Sequence, residues 1–222
     1  MKACFMGLGY IGLPTAIIAA KHGVQVTGVD INPKVVELTN QGKLHIIEPG
    51  MEEMLQEVVK NGTLHASTKP ETSDAYFMVV PTPFKGNHEP DISYVEAATR
   101  AVLPFLKEGD LYVIESTSPV GTTDKMRDLI FAERPELEGK IYIAYCPERV
   151  LPGNVIYELV HNDRVIGGMN EESILGTVKK ALGMEQDVDA FDEVLVMHIN
   201  TALSVLAQLG AGPEDGLYIT GN

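Results

Sequence analysis

Three glycines and one aspartate have the most specific chemistry in the sequence. Gly7-Leu8-Gly9-Tyr10-Ile11-Gly12 follows a short apolar run at residues 3–6 and opens a helix-like stretch over residues 11–22. In that setting Gly7 permits a tight turn, Gly9 lets the backbone approach a diphosphate, and Gly12 lets helix and strand pack closely. The helix start offers N–H groups and the positive end of a dipole to phosphates. Asp30 ends a second apolar run, residues 24–30, and lies 18 residues beyond Gly12. Its carboxylate suits the hydroxyls of an adenosine ribose, and its charge repels a 2′-phosphate, which favours NAD over NADP. FAD and S-adenosylmethionine are alternative ligands for such a turn. The plain alternative is that the glycines make a turn and Asp30 caps the helix after it. Lys34, a turn further on, either touches the ribose or is a solvated surface lysine.

Three later loops carry polar groups in stiffened settings. Pro81-Thr82-Pro83 follows an apolar run at 75–80, and its prolines restrict the backbone on both sides of the threonine. Residues 115–123, Glu-Ser-Thr-Ser-Pro-Val-Gly-Thr-Thr, are rich in hydroxyls and end where a helix begins, so Ser118 or Thr122 could serve as N-caps. Cys146-Pro147-Glu148-Arg149 sets a carboxylate beside a guanidinium after the run at 141–145. Glu148 is a candidate acid or base and Arg149 a candidate anion anchor; the alternative for both is a surface ion pair. Cys146 has no histidine beside it in sequence and reads as structural, as does Cys4 inside the first apolar run. The six histidines show no metal-ligand spacing, and no metal site is expected.

The elements that must position these groups follow from an alternation of apolar runs and helical patterns. Strands are expected at 3–6, 24–30, 75–80, 111–115, 141–145 and 165–168, with helices at 11–22, 33–40, 50–60, 92–106 and 122–132. Continuous Val, Ile and Tyr runs suit strands covered on both faces. Their alternation with helices predicts an α/β fold with a doubly wound parallel sheet, in which ligands lie outside the carboxyl ends of the strands. All three polar loops then fall on the edge that carries the glycine turn. Near residue 169 the character changes: residues 169–222 read as a helical appendage with no strand resuming the sheet, so the expected domains are 1–168 and 169–222.

Composition narrows the function classes. Of 222 residues, 45% are hydrophobic and 22% charged, enough for a core and too apolar for wholesale disorder. A formal net charge of −14 argues against nucleic-acid partners and against a basic membrane-binding surface. The stretch 194–212 is interrupted by His198, Asn200, Thr201, Ser204 and Gln208, so no membrane insertion is expected. Two cysteines make no disulfide framework, and the N-terminus shows no signal-peptide pattern, which points to the cytoplasm.

Residues 7–14 (GLGYIGLP), 29–32 (VDIN), 48–50 (EPG), 80–83 (VPTP), 115–121 (ESTSPVG), 146–153 (CPERVLPG) and 162–168 (NDRVIGG) resemble the UDP-glucose/UDP-N-acetylmannosamine dehydrogenase family. The longer run 81–91 (PTPFKGNHEPD) is similar to its UDP-N-acetylmannosamine branch, which serves bacterial surface-polysaccharide synthesis. The resemblance implies a Rossmann-like domain and oxidation of a sugar C6 alcohol to a carboxylate in two hydride transfers, using two NAD and a cysteine thioester. Position by position it implies that Tyr10, Ile11, Asp30, Thr82 and Thr123 contact NAD. It further implies that Thr117 and Glu148 assist water and proton handling, and that Arg149 and Val150 lie on the side of the UDP-sugar. The family's long central helix with its lysine and asparagine, which also forms the dimer, its cysteine loop and its second domain have no counterpart here. Full turnover by this chain alone is therefore not expected, and its oligomeric state is open; a binding or assembly module without catalysis is the alternative. Residues 169–222 resemble the start of a phage head–tail connector protein.

Overall fold

The structure is a computed structural model and describes residues 1–86, 88–148, 150, 153–162, 165–169 and 218–221. Five parallel crossovers build the core of one sheet. The strands are β1 (Lys2–Met6), β2 (Gln25–Val29), β3 (Leu64–Ser67), β4 (Ala75–Met78), the two strands of a small hairpin, β5 (Phe84–Lys85) and β6 (Glu89–Pro90), then β7 (Leu111–Ile114), β8 (Tyr142–Tyr145), β9 (Val165–Gly168) and β10 (Tyr218–Gly221). The helices are α1 (Gly12–Lys21), α2 (Pro33–Asn40), α3 (Met51–Lys60), α4 (Ser93–Val102), α5 (Thr122–Glu133) and α6 (Val155–His161). The main sheet runs in the order β3-β2-β1-β4-β7-β8-β9-β10. Strand order reverses between β1 and β4, which opens a crevice above their carboxyl ends.

Successive residues of each central strand feed two different cores, as the two-residue period of a strand requires. Ala3, Phe5, Ala75, Phe77, Leu111 and Val113 face the side covered by α1 and α3. Cys4, Met6, Tyr76, Met78, Tyr112 and Ile114 face the side covered by α4 and α5. Phe5 and Phe77 stack across the β1–β4 pair with ring centroids 4.6 Å apart. Polar atoms in the second core are satisfied internally. The Tyr112 and Thr99 hydroxyls are 2.6 Å apart, and the Tyr76 hydroxyl donates to the Phe105 carbonyl while accepting from the Ser73 amide.

The α/β sandwich and the expected strands at the centre are present; four features differ from the sequence reading. First, β3 forms an edge strand that alternates too weakly to be read as one (Leu64, His65, Ala66, Ser67). Its outer side is covered by Asn40, whose amide donates to the Ala66 carbonyl at 2.9 Å and accepts from the Ala66 amide at 2.7 Å, imitating a neighbouring strand. Second, Phe84–Lys85 and Glu89–Pro90 pair as a hairpin immediately after Pro83. Third, β9 runs antiparallel to β8, so the sheet is not parallel throughout. Fourth, Tyr218–Gly221 adds a strand parallel to β9, where none was expected after residue 169. The helical reading of residues 170–217 lies outside the described residues. Among the described residues no helix is long and apolar enough to cross a membrane.

Candidate functional site

The glycine turn leaves β1 where Gly7 donates its amide to the Val29 carbonyl at 2.7 Å. Gly7 has φ +109°, and a Cβ there would stand 2.4 Å from the Val79 carbonyl oxygen. At Gly12 a Cβ would stand 1.9 Å from the Gly7 carbonyl oxygen and 3.4 Å from Val79 Cβ. Both positions are therefore glycine for internal reasons: one turns the chain, the other brings α1 against it. Gly9 is different. It has no positive φ, and no protein atom lies within 4 Å of where its Cβ would be. Nothing inside the chain demands glycine there.

Helix α1 begins without a side-chain cap and without an acid in its first turn. Its start faces a cleft of about 340 Å3, framed by Gly7, Gly9, Tyr10 and Ile11 from the turn and Asp30 from the end of β2. An uncapped helix end with no negative charge is a favourable seat for a phosphate. Asp30 Oδ2 accepts the Leu8 amide at 3.1 Å and Oδ1 accepts the Asn32 amide at 2.9 Å. Asp30 does not cap α2; Asn32 does, accepting from the Lys34 amide at 3.0 Å. The carboxylate is thus locked against the glycine turn, half-buried at the cleft, and each oxygen retains a second lone pair.

The opposite wall comes from the loops after β4, β7 and β8. Val79, Val80, Pro81 and Thr82 contribute from the first, Glu115, Ser116 and Thr117 from the second, and Glu148 from the third. These loops are tied to one another. Ser116 Oγ donates to the Val80 carbonyl at 2.6 Å, Thr82 Oγ1 donates to the Thr117 carbonyl at 2.7 Å, and the Glu148 amide donates to the Glu115 carbonyl at 3.2 Å. Glu148 is 9% exposed, which is not the setting of a solvated surface ion pair. Neither Ser118 nor Thr122 caps α5: Gly121 stands at that position with φ +84°, and the two hydroxyls donate to the Ser116 and Pro119 carbonyls.

Eight of the expected site residues therefore share one cleft: Gly7, Gly9, Tyr10, Ile11, Asp30, Thr82, Thr117 and Glu148. Gly12, the first residue of α1, is buried and does not line it. Lys34 is exposed on α2 and does not line it. Thr123 faces a neighbouring hollow of about 290 Å3 with Ser118, Tyr145 and Gly167. Val150 packs on the Ile18–Val155–Leu159 cluster, and Arg149 lies outside the described residues. Glu115 was not singled out in the sequence, where it reads as the last residue of a strand, yet it lines the cleft and is 5% exposed. Cys146 is buried, and burial pushes the Cys4 thiol up to about 12, which suppresses its thiolate. Among the described residues no group of three or more His, Cys, Asp and Glu side chains is placed to hold a metal ion.

Strand order, glycine turn and terminal aspartate define a dinucleotide-binding domain of the doubly wound class. The chain belongs to the UDP-glucose/GDP-mannose dehydrogenase family, whose NAD-binding domain matches residues 1–182; NAD is the cofactor of this domain. The phage connector protein family matches residues 174–222. A UDP-N-acetyl-D-mannosamine dehydrogenase from Campylobacter jejuni is 52% identical over 180 residues, 77% of this chain and 44% of the relative. An NDP-N-acetyl-D-galactosaminuronic acid dehydrogenase from Ralstonia nicotianae is 53% identical over 172 residues, 74% of this chain and 41% of the relative. Among solved structures, the UDP-N-acetyl-mannosamine dehydrogenase Cap5O from Staphylococcus aureus superposes with a TM-score of 0.74 at 43% identity, covering 81% of this chain and 44% of that one. The chain spans less than half the length of the curated relatives it matches.

Proposed function

We propose that this chain is the NAD-binding portion of a UDP-N-acetyl-D-mannosamine 6-dehydrogenase. The observation that carries the reading is Gly9, a glycine that neither fold nor packing requires, at the mouth of an uncapped helix beside Asp30. In this reading the amides of the Gly9–Gly12 turn hold the diphosphate, and Asp30 accepts the ribose hydroxyls. Tyr10 and Ile11 border the adenosine side, and Thr82 and Thr117 frame the nicotinamide side. Lys34 and Thr123 lie beyond the cleft in this structure, so their contacts are secondary to those of the turn. NAD supplies the hydride acceptor for oxidation of the sugar C6 alcohol. Glu148, buried on the wall after β8, is the group positioned to hold or move a proton there, with Thr117 orienting water.

The UDP-sugar would be bordered by Arg149 and Val150 on the same loop as Glu148. The relatives at 52% identity from Campylobacter jejuni and Escherichia coli are named for UDP-N-acetyl-D-mannosamine, which supports UDP-N-acetylmannosamine as the substrate. Complete oxidation would also draw on groups in the part of the relatives that this chain does not cover. The buried cysteines Cys4 and Cys146 fit the reducing cytoplasm.

A chimera tests the assignment: residues 1–168 replace the corresponding part of the Campylobacter relative, and NADH formation is followed with UDP-N-acetylmannosamine. Restored oxidation that falls by about a hundredfold or more in Glu148→Gln is the expected result for a proton-handling residue. A chimera that binds NAD yet oxidises no UDP-sugar would exclude the substrate assignment.

A further inference from the structure

Glu48 is a carboxylate with no place in the cleft, yet it is 6% exposed and both of its oxygens are engaged. Oε2 accepts the Gly153 amide at 3.0 Å and Oε1 accepts the Val155 amide at 2.8 Å, across 105 and 107 positions of sequence. These amides open α6, whose own N-cap residue, Asn154, makes no side-chain cap. A buried helix start needs its donors satisfied, and here a glutamate from a distant loop does it.

The consequence reaches the cleft because Glu148 precedes α6 closely in the chain. The Glu148 amide is tied to Glu115, and the Gly153 amide to Glu48. Only four residues separate the two ties, and Val150, one of them, is packed on Ile18, Val155 and Leu159. On the other side of Glu48, the carbonyl of Ile47 accepts from the Tyr10 hydroxyl at 3.5 Å, at the outer reach of a hydrogen bond. The segment around Glu48 therefore touches the phosphate turn on one flank and the Glu148 loop on the other.

We propose that Glu48 is a positioning residue: by fixing Gly153 and Val155 at the start of α6 it sets where the Glu148 side chain, five positions before Gly153, stands against the dinucleotide cleft. The proposal rests on reading Glu148 as the group beside the nicotinamide. Only a carboxylate offers two acceptor oxygens to two convergent amides. In Glu48→Gln one oxygen remains and an NH2 group is turned toward a donor; in Glu48→Ala both acceptors are gone.

The test uses the full chain, with amide hydrogen exchange and the NMR signal of the Glu148 side-chain carboxyl carbon, assigned by Glu148→Gln. Glu48→Ala is expected to speed exchange at Gly153 and Val155 by about tenfold or more and to move the Glu148 signal, while β1 and β4 keep their protection. Glu48→Gln is expected to shift both readouts in the same direction by less. Unchanged exchange, or faster exchange with an unmoved Glu148 signal, would overturn the proposal. So would loss of protection spread evenly over β1 and β4 in both variants, because Glu48 would then serve the fold alone. These readouts need no ligand: a wild-type chain that fails to bind NAD would remove the cofactor assignment and leave the Glu48 result to be decided separately.

Discussion

The three glycines of one turn answer to three different constraints, and substitution separates them. Gly12→Ala forces a Cβ to 1.9 Å from a carbonyl oxygen, and Gly7→Ala adds a contact at 2.4 Å to a φ of +109°. Each is expected to lower stability by about 2 kcal/mol or more, measured by chemical denaturation. Gly9→Ala meets open space and should leave the denaturation midpoint unchanged or slightly raised, while weakening NAD by about tenfold or more in calorimetry. A destabilised Gly9→Ala protein with undiminished NAD affinity would contradict this division. The pattern Gly7-Leu8-Gly9-Tyr10-Ile11-Gly12 and its aspartate were legible in sequence because backbone constraints of this kind leave a fixed spacing. Glu115 and Glu48 were not, since their significance lies in burial and in partners distant along the chain. The same scale predicts that neither thiol reacts with a disulfide reagent in the native protein at neutral pH, because both are buried and Cys4 is raised to about 12. Rapid labelling of one thiol per folded chain would refute it.

Among the elements, those with a strong internal pattern were the readable ones. Strands β4 and β7 are runs of buried residues, β1 is one after its first lysine, and β8 is buried at its centre, while the helices between them carry a period that sequence displays. The edge strand β3 and the β5–β6 hairpin are made by partners instead of pattern: Asn40 in one case, Lys85 and Asp91 in the other. Asn40→Ala would leave the Ala66 amide and carbonyl without their side-chain partner, at an expected cost of about 1–3 kcal/mol in denaturant unfolding. Asp91 Oδ1 takes the Lys85 ammonium at 2.8 Å and the Ser93 amide at 2.9 Å, tying the hairpin to the start of α4. The hydrogen bond from Lys85, followed by those from Ser93, holds the Asp91 carboxyl down to about 2, below its ordinary 3.8. A folded-state value below the unfolded one means that this tie contributes above pH 4 and is lost as pH falls toward 2. The Ser93 amide signal, followed by NMR, should therefore hold its position through pH 4 and move only nearer pH 2. A midpoint near 4 would show that the ion pair does not form in solution.

For the whole molecule, the sheet order and its crevice decide where chemistry happens, and charge decides how a ligand arrives. The net charge of −14 sets up a long-range field that repels an anionic dinucleotide, and no lysine or arginine lines the cleft among the described residues. Screening should therefore help: the association rate of NAD is expected to rise several-fold between about 10 and 150 mM salt, read by stopped-flow fluorescence. A rate that falls with salt would reveal an attractive local field. The antiparallel direction of β9 and the added strand β10 were hidden in sequence because strand direction and pairing partner are set by tertiary context, which a short apolar run does not encode.

The central claim is that the cleft at the β1–β4 reversal holds NAD by main-chain amides and Asp30. Calorimetric titration of the 222-residue chain with NAD and with NADP tests it most directly. One NAD is expected per chain, with NADP weaker by about tenfold or more because Asp30 opposes its 2′-phosphate. Folded protein that gives no heat with NAD, or that takes NADP equally well, would contradict it.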